Sequence, residues 1–196
     1  MKQVWIFHGG NSFYSYERYM DALKNSVIQY ERLLYSTDWK PWLAQQLAGY
    51  DVLTPSMPNK QNANFDEWSI YFEKLMPFFS DNVQLVGHSL GAMFLAKYLS
   101  QNPLNKKVRR IILVAGGYDD STREDLGSFG LNSIGKLTDS SDDIHLLHSK
   151  DDLVVPFSEL AKYQKELPGA AVHIFNGKSH FFDPEFPELL EILKQK

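Results

Sequence analysis

The sequence predicts a three-layer α/β/α sandwich on a six-stranded, mainly parallel sheet. Three observations predict it. Six short apolar runs are spaced along the chain, helical periodicity fills most of the intervals, and the run Ile111-Ile112-Leu113-Val114-Ala115 is apolar without alternation, as a parallel strand covered on both faces must be. At 196 residues the chain fits one domain, 1–196, large enough to bury a sizeable core.

The first strand is Val4 to Phe7, reached from Met1-Lys2-Gln3 and ending in His8-Gly9-Gly10. Tyr16, Tyr19, Met20 and Leu23 have the spacing of an amphipathic helix, while Val27 to Tyr35 is apolar and tyrosine-rich with no settled period. The aromatic side chains of this segment are expected in the core, with a pocket wall as the alternative. Thr37 and Asp38 can cap a helix whose apolar face holds Trp39, Trp42, Leu43 and Leu47, and Gly49 can stop it. Asp51 to Thr54 is the second strand, and Pro55 to Asn59 forms a loop after it. Asn64 and Glu67 have capping-box spacing ahead of a stripe of Phe65, Trp68, Phe72, Leu75, Met76 and Phe79, which reads as core.

Val83 to Val86 is the third strand and runs into Gly87-His88-Ser89-Leu90-Gly91, after which a helix continues to about Gln101. Lys106, Lys107, Arg109 and Arg110 form a basic cluster expected in a solvated loop before the fourth strand. Residues 118–143 are rich in Asp, Ser, Gly and Thr, and read as a lid or a surface insertion. Within them Gly130 to Lys136 has Walker A spacing, but Leu137 stands where Ser or Thr should hold magnesium, so no nucleotide site is expected. Ile144 to His148 is the fifth strand; His145 and His148, three apart, point to opposite faces and cannot share a metal. A helix opened by Ser158 follows, with Leu160, Tyr163 and Leu167 on its face. Ala171 to Phe175 is the sixth strand, and a last helix is expected to start at Asp183-Pro184 as N-cap and N1.

The chemistry concentrates at G-x-S-x-G. A strand-to-helix turn with small flanks projects the Ser89 hydroxyl and sets the Leu90 N–H at a helix N-terminus, where a developing negative oxygen is favoured. A second such N–H should come from the loop after the first strand, at Gly10 or else Asn11. A serine hydroxyl needs a base and that base needs an orienting carboxylate. His180 and Asp152 both follow strands and complete the chain order Ser, Asp, His; Asp151, and more distantly Asp119 or Asp120, are alternatives to Asp152. No cysteine is present, which excludes thiolate nucleophiles and thiolate metal sites. A net charge of -4 supplies no basic face for nucleic acid or an anionic membrane. No cofactor or metal is implied, no stretch is long and apolar enough for a signal peptide or membrane span, and a cytoplasmic location is the default.

These residues carry a family resemblance. His8-Gly9, Met57-Pro58, Gly87-His88-Ser89-Leu90-Gly91, Asp151-Asp152 with Val155-Pro156, and Ser179-His180-Phe181 resemble the small single-domain α/β-hydrolases of the YdeN and retinoblastoma-binding serine hydrolase group. The resemblance implies a reduced α/β-hydrolase sheet, a Ser89, Asp152, His180 triad, and esterase-like action on small acyl substrates. Ser179 departs from the pattern, since a glycine commonly precedes this histidine. The expected activity is a serine hydrolase of the carboxylic ester type forming an acyl-enzyme. A peptidase or thioesterase with the same triad, or a hydrolase-fold protein acting mainly by binding a protein partner of unknown identity, are the alternatives.

Overall fold

A computed structural model describes residues 2–35, 37–105, 107–119 and 125–195. Its strands are β1 (Lys2–Phe7), β2 (Tyr50–Leu53), β3 (Val83–His88), β4 (Arg110–Val114), β5 (Ile144–Ser149) and β6 (Ala171–Phe175), in the spatial order β2-β1-β3-β4-β5-β6. Every neighbouring pair is parallel. Parallel neighbours need crossovers, which hold helices α1 (Tyr16–Asn25), α2 (Trp39–Gln46), α3 (Phe65–Leu75), α4 (Leu90–Gln101) and α5 (Glu159–Glu166), with α6 (Pro187–Lys194) after β6. Because β1 has β2 on one side and β3 on the other, the chain reverses its direction of growth there, which is where such sheets open a crevice. Phe7 pairs with Gly87, so the loops leaving β1 and β3 stand side by side.

The two-residue period of the strands sorts the apolar side chains onto two faces. Trp5, Phe7, Leu85, Ile111, Leu113 and Leu146 pack in one core with α3, α4 and α5. Val4, Ile6, Val86, Ile112, Val114 and Leu147 pack in the other with Trp39 and Leu43 of α2 and Leu189 and Leu193 of α6. The edge strands β2 and β6 are only partly buried, so the six runs are not uniformly interior.

Several expectations are corrected. The stripe of α1 does not enter the core: none of its residues is buried. Tyr16 and Tyr19, with Phe13 and Tyr14, instead face a cleft against residues 59–64. Residues 26–35 hold only a short 3-10 turn, Tyr30–Leu33, and Val27, Ile28 and Tyr35 are exposed. Asn64 caps α3 through the N–H groups of Asp66 and Glu67, but Glu67 closes no capping box, since its carboxylate accepts from Asn59. The last helix begins at Pro187 rather than Pro184, because Phe186 keeps a non-helical backbone and buries its ring against Trp39 and Phe181.

The basic cluster is also not simply solvated. Lys106 lies outside the described residues, Lys107 pairs with Asp142, and Arg109 donates to the Gln195 carbonyl. Arg110 opens β4 and is 3% exposed, tied to Asp143 at 2.6 Å and to the Ile192 carbonyl. In the 118–143 segment, Asp120 and residues 121–124 lie outside the described residues. Tyr118, Leu126, Phe129, Leu131, Ile134 and Leu137 are buried in the first core, so the described part of this segment is packed wall. The Walker-like spacing falls across a 3-10 turn, Gly135–Asp139, not a strand-to-helix junction.

Candidate active site

The turn between β3 and α4 is held by close packing. Ser89 has φ 56° and ψ -121°, a left-handed backbone that costs a non-glycine residue about 1–3 kcal/mol and survives where its surroundings enforce it. The enforcement is visible: Ser89 N–H donates to the Val114 carbonyl at 2.8 Å, and its carbonyl accepts from Ala92 N–H at 2.9 Å. A Cβ on Gly91 would stand 2.2 Å from the Phe7 carbonyl oxygen, and one on Gly87 would stand 2.5 Å from the Gly91 oxygen. Glycine is therefore needed at both positions for close approach, not for left-handed φ. Gly9 is a third such contact, where a Cβ would meet the Ser89 Cβ at 2.9 Å. Leu90 opens α4, whose first N–H groups have no intrahelical acceptor.

Asp152 and His180 meet on the same edge of the sheet. His180 Nδ1 donates to Asp152 Oδ2 at 2.8 Å, and the other carboxylate oxygen accepts from the N–H groups of Val154 and Val155 at 2.8 and 2.9 Å. The Asp152 side chain is fully buried. Two backbone donors thus aim the carboxylate at one imidazole, leaving His180 Nε2 as that ring's basic nitrogen. His148 stands behind the pair, 3.8 Å from Asp152 and bonded to the Val155 carbonyl; burial holds its pKa down. Asp151 faces elsewhere: it accepts from Ser149 Oγ and from the N–H groups of Gly177 and Ser179, fastening the turn that leads to His180. The Ser149 hydroxyl leads the causes that hold its carboxyl below the usual range. Asp119 accepts from Lys162 at 2.7 Å, and Asp120 lies outside the described residues.

The loop bearing His180 is itself strained, a feature the sequence pattern did not disclose. Ser179 and Phe181 both have positive φ, 45° and 56°, which explains why a glycine suits the position before the histidine and what its absence costs. Two buried side chains clamp the loop: His88 Nε2 donates to the His180 carbonyl at 2.9 Å and Trp39 Nε1 donates to the Phe181 carbonyl at 3.0 Å. Burial, and then the charge of His180, push the His88 pKa well down, so the ring is neutral with its proton on Nε2. His88 is thus more than the variable residue of G-x-S-x-G. His8 plays a matching part on the other loop. Its Nδ1 donates to the Gly9 carbonyl at 2.6 Å, and its Nε2 accepts from Met57 N–H at 2.8 Å. Asn11 N–H is committed to the Lys60 carbonyl at 2.9 Å, which leaves Gly10 as the better placed of the two oxyanion candidates.

Ser89 borders two clefts. One, of 250 Å³, is walled by Leu90, Met93, Leu126 and Val155; the other, of 330 Å³, holds His180, His88, Lys40 and Lys60. Gly10 and Asn11 line both. Among the described residues no group of three or more His, Asp or Glu side chains is arranged to hold a metal, and no helix is long and apolar enough to cross a membrane.

A serine hydrolase family model matches residues 35–186, a span that takes in the β3–α4 turn, the Asp152 loop and His180. The chain belongs to the serine hydrolase family. Among relatives of this hydrolase, the hydrolase YdeN of Bacillus subtilis (strain 168) is 28% identical over 164 residues, covering 81% of this chain and 86% of YdeN. The serine hydrolase RBBP9 of Rattus norvegicus is 25% identical over 163 residues, covering 80% and 84%. The crystal structure of the B. subtilis ydeN gene product superposes with a TM-score of 0.78 at 25% identity, covering 98% of this chain and 97% of the other. A thioesterase domain from the curacin biosynthetic pathway shares the fold at 14% identity, with a TM-score of 0.61 and coverage of 99% and 91%. The hydrolase has the α/β-hydrolase fold, with a six-stranded parallel sheet.

Proposed function

We propose that the protein is an esterase-type serine hydrolase acting on small acyl substrates, with Ser89 as nucleophile, His180 as general base and acid, and Asp152 orienting the histidine. The observation that carries it is the buried 2.8 Å bond from His180 Nδ1 to Asp152, with Ser89 in its left-handed turn on the cleft that His180 also lines. That bond commits Nδ1 as donor, so Nε2 accepts the Ser89 proton as Oγ attacks the acyl carbon. The carbonyl oxygen takes up negative charge beside the N–H groups of Leu90 and Gly10. The bond to the leaving group then breaks, Nε2 returns the proton to the departing atom, and an acyl-enzyme remains on Oγ. Water, deprotonated by Nε2, attacks the acyl carbon, and the second collapse restores the serine. Every step uses groups of this chain, and no cofactor is required.

The reading is tested with a fluorophosphonate probe. The wild-type protein labels at one serine, Ser89→Ala abolishes the label, and turnover of small acyl esters falls by about 10⁴-fold or more. Labelling that survives the substitution overturns the assignment.

A further inference from the structure

The two clefts beside Ser89 differ in chemistry, and His180 tells them apart. The group that protonates a departing atom must stand within reach of it, and of the two clefts His180 lines the 330 Å³ one. The leaving group therefore sits there, and the acyl group lies in the 250 Å³ cleft against Leu90, Met93 and Leu126. The leaving-group cleft is bordered by Lys40 and Lys60, with Asp38 its single carboxylate among the described lining residues.

The two lysines are held differently. Lys40 is 13% exposed, lies over the Trp39 ring at 4.8 Å and is neutralised by Asp38. Lys60 makes no ion pair among the described residues. Its backbone is nonetheless fixed to the oxyanion loop, since its carbonyl accepts from Asn11 N–H at 2.9 Å. A flexible ammonium is thus anchored at the mouth of the site, and one positive charge is left uncompensated in the cleft of a chain whose net charge is -4. A concave wall of protein focuses such a field on what enters. Its reach is seen in His8, where the charges of Lys60 and Lys40 add to burial in holding the pKa down.

Resting on the acyl-enzyme reading above, we propose that the leaving-group cleft selects esters whose leaving group carries a carboxylate, held by Lys60. A single compact ammonium with one excess charge matches a monoanion; it lacks the forked donors that would favour a phosphate. The carboxylate takes no part in bond making. The ester bond to the leaving oxygen breaks, that oxygen receives the proton from His180, and the carboxylate departs unchanged.

The test compares para-nitrophenyl acetate with the acetate ester of meta-carboxy-para-nitrophenol, each kcat/KM divided by the ester's own hydroxide rate. The wild-type protein prefers the carboxylated ester about fivefold to tenfold, and added salt shrinks the preference. Lys60→Glu reverses it, while Lys74→Gln, on the outer surface of α3, keeps the wild-type ratio. Protection of Ser89 from the fluorophosphonate probe by the two free phenols supplies the same comparison without turnover, and the carboxylated phenol protects better. A wild-type ratio near one in both measurements, or a ratio that Lys60→Glu leaves alone, overturns the proposal. Probe labelling of Ser89 in the same samples keeps the two readings apart: a labelled protein without preference sinks the carboxylate site alone, whereas absent labelling sinks the serine mechanism.

Discussion

Helices α4 and α1 have similar lengths, and both were legible as helices from apolar spacing, yet they stand in opposite relations to the molecule. Ten of the twelve residues of α4 are buried, and none of the ten in α1 is. The difference lies in what precedes them. The first follows a central strand and must pass within contact of β1, so its faces meet the sheet, α3 and the turns at Gly127–Phe129 and Gly135–Asp139. The second follows an open loop, is capped by Ser15, and leads into exposed residues such as Val27, Ile28 and Tyr35. Periodicity announces an apolar face; whether that face finds a partner depends on where the preceding strand delivers it.

The sharpest way to break this contrast is Gly91→Ala. The added methyl would overlap the Phe7 carbonyl at 2.2 Å, and the obstacle is backbone on both sides, so it cannot swing away. A loss of about 3 kcal/mol or more is expected in denaturant unfolding, beyond an ordinary overpacking cost. A variant as stable as the wild type would show that the turn can relax.

Acid supplies an effect of intermediate size on the same side of the contrast. His8, His88, His145, His148 and His173 all have pKa values held below the ordinary 6.5, with burial the leading cause in each. Below pH 6.5 the unfolded chain therefore binds protons that the folded chain refuses, and stability falls as pH drops; above it both states are neutral at these rings and this contribution is level. The urea midpoint should hold steady above that pH and decline below it. His88→Gln should make the decline shallower by about one proton. A midpoint that rises on acidification would contradict the burial of these rings. None of the histidines lies between residues 9 and 87, so α1 stands apart from this response.

The smallest effect belongs to α1. Leu23 is 54% exposed, and Leu23→Ser should change unfolding free energy by no more than about 0.5 kcal/mol. A larger loss would mean that this face is covered in solution.

The same contrast explains which parts of the molecule could be read in advance. The strands were legible because a buried strand leaves a continuous apolar run, and a loop residue after it stands at the sheet's edge; Ser89, Asp152 and His180 follow β3, β5 and β6 in this way. Asp152 is preferred over Asp151 in the sequence because it heads Asp-x-x-Val-Pro, and in the structure Asp152 meets the imidazole while Asp151 fastens the turn before it; the second role, made of contacts to backbone N–H groups, leaves no mark in the spacing. Arg110 looked like one more charge in a basic run, because nothing local marks the position at which a loop becomes β4. Asp183-Pro184 has the N-cap and N1 pattern of a helix start, yet α6 opens at Pro187, because the ring of Phe186 packs on Trp39, far away in sequence. The clamps from His88 and Trp39 are long-range hydrogen bonds to backbone carbonyls, which leave no trace in spacing.

Those clamps have a consequence for how such a protein can change. Trp39, Phe181 and Phe186 belong to the core on one face of the sheet, whereas Leu90, Met93 and Leu126, which wall the 250 Å³ cleft, belong to the core on the other. The sheet works as a partition: the alignment of the histidine is built on one side of it and the shape of the chamber on the other. Leu90, Met93 and Leu126 can therefore be exchanged from the face opposite Trp39, Phe181 and Phe186, whereas Val155, which walls the chamber and also gives its N–H to Asp152, is where the two sides are joined.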